Sequence, residues 1–199
     1  HLLLDGWSVP FVLQDILTSY SIFSKGESLN KNSNQAFKNN LNKSRPYKDY
    51  IAWLQQQSLS EAERFWQKNL AGFLAPTPFR VDNKLEPLVK PNSSNQKQEI
   101  QLSEEITSQL QTFAKNHQLT LNTLIQAAFA LMLSRYSGES DVVFGITSSG
   151  RPTSLVNSES IVGLFINTLT LRVQVGGKKK LIHWLQQLQK QQIELKMYE

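Results

Sequence analysis

The stretch HLLLDGWS, residues 1–8, opens the sequence and runs directly into VPFVLQDILTSY, residues 9–20. Apolar residues at positions 9, 12, 13, 16, 17, 20 and 23 have the spacing of one helix face and predict a helix over residues 9–23. Ser8 is predicted to cap this helix, and Gly6 suits a backbone turn before it. The opening histidine and the aspartate four positions later therefore lie on the segment that feeds the helix.

Composition and charge exclude several classes of protein. The chain has 199 residues, 40% of them hydrophobic, no cysteine and a net charge of +5. Basic residues are scattered, and the tight run Lys178–Lys180 is typical of a solvated loop, so we expect no nucleic-acid partner. No apolar run is long enough to cross a bilayer. Without cysteine, disulfides and thiolate nucleophiles are excluded, and we expect a cytoplasmic protein without a membrane partner.

The remaining sequence predicts a mixture of helices and strands, and hence an α/β fold. Residues 25–44 are polar and predict an exposed loop, and residues 73–95 contain four prolines and no clear period. The other predicted elements are a helix after Pro46, a short helix capped by Ser60, a strand at 98–102, a helix capped by Ser103 and a helix at 121–136 closed by Gly138. The stretch DVVFGITSSGRP, residues 141–152, predicts a buried strand that leaves into a glycine turn. A long strand at 163–175 and a final helix at 181–198 complete the prediction.

Few residues of the chain are of a type that carries out chemistry. A metal site would need three or four ligands, and one histidine–aspartate pair does not supply them, so no metal is expected. No G-x-S-x-G turn is present, which disfavours a serine hydrolase. His117 and His183 lie in a polar turn and a helix, where a structural role is expected. The pair His1 and Asp5 remains, and H-x-x-x-D alone is a common pattern.

The pair gains weight when it is joined to later stretches of the chain. These are YKDYIAW at 47–53, SGRP at 149–152 and IVGLFINT at 161–168. Together they resemble the condensation domains of nonribosomal peptide synthetases, which carry HHxxxDG, YxDFAVW-like and IGxFVNT-like motifs in this order. A further DFGWG-like element of that family is not found here. His1 looks like the second histidine of HHxxxDG, and the alternative is that it is left from a purification tag.

The resemblance implies a chloramphenicol-acetyltransferase-like fold with two lobes, of which the chain would be an interior part. Residues 1–80 would then belong to the N-terminal lobe, residues 81–97 to a crossing segment and residues 98–199 to the C-terminal lobe. The implied reaction is amide-bond formation between two carrier-bound thioesters. The implied partners are the upstream donor and downstream acceptor peptidyl carrier domains and an adjacent adenylation domain. No cofactor would bind directly, because the carriers deliver the phosphopantetheine arms, and this part alone is expected to be inactive.

The resemblance also assigns roles to individual residues. His1 would be catalytic, as a general base or by orienting the amine. Asp5 is expected to be structural, through an ion pair with Arg151 as first choice and Arg135 or Arg172 as alternatives; a direct chemical role is the other possibility.

Three further residues are assigned to the neighbourhood of this pair. Gly6 would keep the turn open, and Trp7 is expected to pack or to contact substrate. Asn167, a polar residue in an apolar strand, would either bind a neighbouring backbone group or line the substrate tunnel.

Two relatives with the same fold remain as alternatives. An epimerization domain would abstract a Cα proton, but its motif resembles HHxxxDGVSWR, whereas this chain has DGWSVPF. A non-catalytic recruitment domain would bind a partner enzyme, but such domains usually lose the histidine, aspartate and glycine that are present here.

Overall fold

The computed structural model describes residues 3–24, 44–78, 99–177 and 180–199. His1 and the predicted crossing segment 81–97 lie outside the described residues, as does nearly all of the predicted polar loop at 25–44. The lobe boundaries expected from the sequence therefore stay a prediction.

The described residues form six α-helices, one turn of 3-10 helix and a sheet of two strands. The helices are α1 (Ser8–Ser24), α2 (Lys48–Leu54), α3 (Leu59–Asn69), α4 (Glu104–Asn116), α5 (Leu121–Ser137) and α6 (Leu181–Lys196). The strands are β1 (Asp141–Ser148) and β2 (Asn167–Gln174), and the 3-10 turn is Ser158–Ser160. Within the described ranges, no helix has the length and apolarity needed to span a membrane.

Two compact units divide the chain. The first consists of His1–Glu63 and Thr147–Thr168, and the second of Arg64–Ile146 and Leu169–Glu199. The core of the second unit packs α4, α5 and α6 against the strands, and its fully buried residues include Ala130, Val142, Leu171 and Leu195. The smaller core of the first unit contains Leu155, Ile161 and Phe165, against which Tyr47, Tyr50 and Trp53 pack.

Local signals in the sequence place most of the element ends correctly. The Ser103 hydroxyl accepts a hydrogen bond from Ile106 N at 3.3 Å, as expected of the N-cap of α4. Gly138 ends α5 in the left-handed conformation with φ of 76°, which glycine adopts without a steric penalty. The predicted cap of α3 is wrong, because the hydroxyl that accepts from Glu61 N belongs to Ser58 and not to Ser60.

Two predicted strands differ from the structure. Residues 99–102 form no strand, although they precede α4 as expected. The predicted strand at 163–175 begins only at Asn167, so residues 163–166 lie outside the sheet. The reason is that backbone groups of residues 163–165 bind side chains of other segments, as described below, and not a neighbouring strand.

The apolar face of α1 follows the predicted spacing, but residues of this face are exposed in the described structure. Leu13, Ile16, Leu17 and Tyr20 each expose more than half of their surface. The buried residue of this helix is Ser8, at its first position. A polar contact at Ser8, in place of apolar packing, therefore anchors the start of α1.

Candidate functional site

The four stretches singled out in the sequence meet in the first unit. Asp5 and Ser8 come from the opening stretch, Tyr47 from YKDYIAW, Arg151 from SGRP, and the segment 161–165 from IVGLFINT. We call these residues, with Gly150, the anchor cluster. Its contacts join parts of the chain that are more than a hundred residues apart.

Asp5 is the buried carboxylate at the centre of the anchor cluster, with 2% of its surface exposed. Its Oδ1 accepts hydrogen bonds from the backbone N and the hydroxyl of Ser8, at 2.9 and 2.7 Å. Its Oδ2 accepts from Phe165 N at 3.2 Å. The Nη2 of Arg151 donates to both oxygens, at 3.1 Å to Oδ1 and 3.2 Å to Oδ2. Both carboxylate oxygens are therefore occupied by donors.

Arg151 links this carboxylate to the backbone of a neighbouring loop. Its Nη1 donates to the carbonyl oxygens of Ser158 and Ile161, at 2.6 and 2.9 Å. Its guanidinium also lies over the ring of Phe165, 4.2 Å from the centroid, in cation–π geometry. The ion pair that the sequence predicted between Asp5 and Arg151 is therefore present, and Arg151 is the partner among the three arginines considered.

Arg172, one of the alternative partners, is engaged in the second unit. It pairs with Asp141 at 2.7 Å and donates to the carbonyl oxygens of Asn69 and Ala71. The pKa of Arg172 is raised, mainly because its guanidinium is hydrogen-bonded to Asp141. Arg172 also lines a cavity of about 380 Å³, together with Trp184 and other residues of α6. None of the anchor-cluster residues lines this cavity.

The charge state of Asp5 follows from these contacts. Burial would raise the pKa of the Asp5 carboxyl, because it disfavours the charged form. The hydrogen bonds from Ser8, the charge of Arg151 and the bond from Phe165 N outweigh this effect and hold the pKa below its usual value. Asp5 is therefore a stable carboxylate at neutral pH and a poor proton acceptor.

Ser8 has a different role from the one predicted. It is fully buried, and its hydroxyl accepts from Gly163 N at 3.0 Å and lies 2.7 Å from Asp5 Oδ1 and 2.8 Å from Gly163 O. The predicted capping role is wrong, because Ser8 is already the first residue of α1 and its own N–H donates to Asp5. Asp5 therefore satisfies the first amide of the helix, and Ser8 joins the helix to the segment 161–165.

Tyr47 also packs against this segment. Its hydroxyl donates to Leu164 O at 2.6 Å, and its ring contacts Phe165 edge-on at 5.4 Å between centroids. The ring lies so close to Gly163 that a Cβ at position 163 would overlap it. Burial raises the pKa of the Tyr47 hydroxyl, and the negative charge of Asp5 adds to this effect. Tyr47 therefore stays protonated and keeps donating.

Gly150 brings the SGRP stretch against the same segment. It has φ of +64°, a backbone conformation that L side chains rarely adopt, and a Cβ there would collide with the carbonyl of Phe165. At positions 150 and 163, close packing therefore leaves room for glycine and for no residue with a Cβ. The backbone of 163–165 is bound by Ser8, Asp5 and Tyr47, which explains why β2 begins only at Asn167.

The other residues predicted for the site are placed as follows. His1 lies outside the described residues, so its catalytic role stays a prediction. Gly6 and Trp7 are exposed; Gly6 has no left-handed φ, and a Cβ there would meet nothing within 4 Å. Neither backbone conformation nor packing among the described residues therefore demands glycine at position 6. The Asn167 side chain accepts from Thr168 N at 2.8 Å, which is one of its two predicted roles, and lining of a tunnel stays a prediction.

Sequence reasoning missed Ser8 and Tyr47 as members of this cluster. Both stand inside the quoted stretches, so the signal was present, but each also fits a simpler local role. A serine before an apolar helix is typical of a cap, and a tyrosine among other aromatic residues is typical of a core. Within the described ranges, no group of three or more His, Asp or Glu side chains is arranged to hold a metal ion.

Comparison with known proteins adds independent information. The family model described as "Condensation domain" matches residues 1–199. The chain is 45% identical over 199 residues to a linear gramicidin synthase of Brevibacillus parabrevis, and 43% identical over 194 residues to chondramide synthase cmdD of Chondromyces crocatus. These alignments cover 100% and 98% of this chain, but only 2% and 5% of those synthases.

A solved structure shows the same fold. It is the first condensation domain of the CDA synthetase, which matches with a TM-score of 0.69 at 17% sequence identity. The match covers 100% of this chain and 41% of that chain.

We predict that Asp5→Asn strongly destabilises the protein. The substitution leaves the buried Arg151 guanidinium without its counter-charge, and removing one member of a buried ion pair typically costs about 3–5 kcal/mol. The matched control is Asp49→Asn, which breaks the partly exposed pair of Asp49 with Arg45 and should cost about 0.5 kcal/mol or less. Urea denaturation of the purified variants measures both, and equal losses would contradict the central place of Asp5.

The stability conferred by Asp5 should also depend on pH. Because the folded protein lowers the pKa of Asp5, this contribution is fully present above the unfolded pKa of about 3.9 and is lost as pH falls through the lower folded value. The difference in unfolding free energy between native protein and Asp5→Asn should therefore shrink on acidification from pH 6 towards about pH 3. A difference that stays constant over this range would show that the folded protein does not lower the pKa of Asp5.

We predict that Gly163→Ala destabilises the protein by about 1–3 kcal/mol, because the added methyl group displaces the bound ring of Tyr47. Gly176→Ala is the control, since a Cβ at that position meets nothing within 4 Å. The control should leave stability unchanged or slightly raised. Thermal and urea unfolding measure the stability of the two variants. Equal stability would mean that the Tyr47–Gly163 contact is easily relaxed.

Proposed function

The chain belongs to the condensation-domain family, and from this premise we propose that it forms an amide bond between two carrier-bound thioesters in nonribosomal peptide synthesis. The family match over the whole chain and the likeness to a solved condensation domain confirm the α/β fold expected from the sequence. The chain spans only a few per cent of the synthases that it resembles. The reaction, its substrates and its partners are therefore assigned by proposal.

The observation that carries the proposal is the meeting of the quoted stretches at one buried ion pair. Asp5, Tyr47, Arg151 and Gly163 are far apart in sequence and are joined by direct contacts. A chance resemblance in separate stretches of sequence would not require these residues to meet. Their meeting supports the view that the stretches form one functional unit.

The proposed reaction is the aminolysis of a thioester. The neutral amine of the acceptor attacks the thioester carbonyl of the donor, a C–N bond forms, and the C–S bond breaks to release the donor carrier's thiol. The amine must lose a proton as the C–N bond forms, and that proton is finally balanced by protonation of the leaving thiolate. A histidine with an ordinary pKa of about 6.5 can take up this proton at neutral pH, which is the role we assign to His1.

Positioning contributes more to this rate than proton transfer does. General base catalysis typically supplies about 10²–10⁴-fold, whereas holding two reactants in attack geometry corresponds to effective molarities of roughly 10⁵–10⁸ M. The anchor cluster fits a positioning function, because its polar groups are directed at one another. It would hold the turn that follows His1 and the segment 161–165 in one fixed arrangement.

Asp5 is better suited to this structural role than to proton transfer. A general base works best when its pKa lies near the operating pH, and the pKa of Asp5 is held low by Ser8, Arg151 and Phe165 N. Both of its oxygens are bound by protein donors and buried. These observations support the structural reading of Asp5.

The proposal includes the partners that the reaction needs. The donor and acceptor are delivered by an upstream and a downstream peptidyl carrier domain on phosphopantetheine arms, and an adjacent adenylation domain loads the acceptor. No cofactor is proposed to bind this chain directly.

We predict that the complete condensation domain containing this sequence, supplied with loaded donor and acceptor carriers, forms a dipeptidyl thioester on the acceptor carrier. His1→Ala should lower the single-turnover rate by about 10²–10⁴-fold, because the general base is lost. His183→Ala is the control; this exposed histidine of α6 contacts Gln187 and should leave the rate unchanged. Mass spectrometry of the acceptor carrier measures the product.

The same experiment separates the alternatives. An unchanged rate in His1→Ala would remove that residue from the mechanism. Inversion of the donor residue without a new amide bond, seen by chiral analysis, would indicate an epimerization domain. Failure of the native domain to form any product on loaded carriers would contradict the proposed function and favour a recruitment domain.

A further inference from the structure

We infer that two side chains of α6, Trp184 and Gln191, close one edge of the sheet against pairing with β2 of a second copy of the chain. The edge is the side of β2 that faces away from β1, and we call it the outer edge. The inference concerns the association of the protein with itself. It does not depend on the proposed reaction.

Two residues of β2 direct their backbone groups to the outer edge. In the part of the chain that the structure describes, the sheet consists of β1 and β2 alone, so the outer edge carries no strand. Val175, directly after β2, donates from its backbone N to the carbonyl of Ser140, directly before β1, at 2.7 Å. Because the backbone groups of successive strand residues point alternately to the two sides, those of Arg172 and Gln174 point away from β1.

The carbonyls of these two residues are bound by side chains of α6. Trp184 Nε1 donates to Gln174 O at 2.9 Å, and Gln191 Nε2 donates to Arg172 O at 2.8 Å. Both are ordinary distances for N–H···O hydrogen bonds. A strand added at the outer edge would need the same two carbonyls as acceptors. The two side chains therefore occupy positions from which the amides of such a strand would donate.

The spacing of the two donors fits the spacing of the two acceptors. Trp184 and Gln191 are separated by about two turns of helix, so they lie on the same face of α6. Leu188 lies between them on this face and is buried in the core of the second unit, with 2% of its surface exposed. The packing that holds α6 on the sheet therefore also places both donors at the outer edge.

The sequence of β2 explains why its outer edge needs protection. The strand reads NTLTLRVQ, which is rich in residues that favour strands and contains neither proline nor glycine. Its single charged residue, Arg172, is paired with Asp141. An uncovered strand of this composition is a template for pairing with the same strand of another copy, and proteins commonly cover such edges with a helix or a loop. A second copy is therefore the partner that the closed edge excludes.

Removal of the two donors in the complete condensation domain tests this inference. Gln191→Met keeps the length and the helix propensity of the side chain but removes its amide, and Trp184→Phe keeps an aromatic ring without the N–H. In the variant with both substitutions, the weight-average mass measured by sedimentation should rise with protein concentration towards twice the native value. Gln191→Met alone should show the same rise at higher concentration, because one of the two bonds remains.

Gln186→Met is the matched control, because it makes the same substitution at an exposed position of the same helix. It should leave the mass at the native value. Amide hydrogen exchange locates the contact: exchange in peptides from β2 should slow as the concentration of the double variant rises, and should not depend on concentration in the control. If circular dichroism shows that the double variant does not fold, Gln191→Met alone decides the test.

Three outcomes overturn the inference. The first is a mass of the folded variant that stays at the native value at every concentration. The second is equal association in the Gln186→Met control, which would assign the effect to the added apolar side chain. The third is association without slower exchange in β2, which would place the contact elsewhere. Each leaves the proposed function standing, because amide formation is measured separately on loaded carriers.

Discussion

The buried ion pair between Asp5 and Arg151 is the contact on which the first unit depends. A carboxylate with 2% of its surface exposed is stable only with compensating donors, and Asp5 receives them from Ser8, Phe165 and Arg151. Arg151 in turn satisfies backbone carbonyls of its own loop. One pair of opposite charges therefore fixes the start of α1, the loop after β1 and the segment before β2.

Close packing of the backbone makes this arrangement specific. The carbonyl of Phe165 and the ring of Tyr47 approach Gly150 and Gly163 so closely that no larger side chain fits without movement. The ladder of the sheet ends at this point, because the amides and carbonyls of residues 163–165 are bound by Ser8, Asp5 and Tyr47. The same contacts that shorten the strand thus create the fixed segment beside the turn that follows His1.

This arrangement assigns different tasks to the acidic and basic members of the HxxxDG stretch. An aspartate whose oxygens are all bound, and whose pKa is held low, fixes geometry and does not exchange protons. In the proposed reaction, proton transfer is assigned to the histidine, because the ordinary pKa of an imidazole lies near neutral pH. In the amide formation that we propose, rigid placement of the two reactants would supply much of the rate, and the ion pair would serve it by holding the segments around it in place.

Local patterns in the sequence were sufficient for α1, α5, β1, the cap at Ser103 and the stop at Gly138, because each depends on residues within a few positions. The quoted stretches also sufficed to predict the family, the fold class and Arg151 as the partner of Asp5. Only the tertiary structure decided that Ser8 binds Gly163 in place of capping its helix, that β2 begins at Asn167, and that Gly150 and Gly163 are packing glycines. These features depend on contacts such as the one between Ser8 and Gly163, which are 155 residues apart, and no local period or propensity records such a contact.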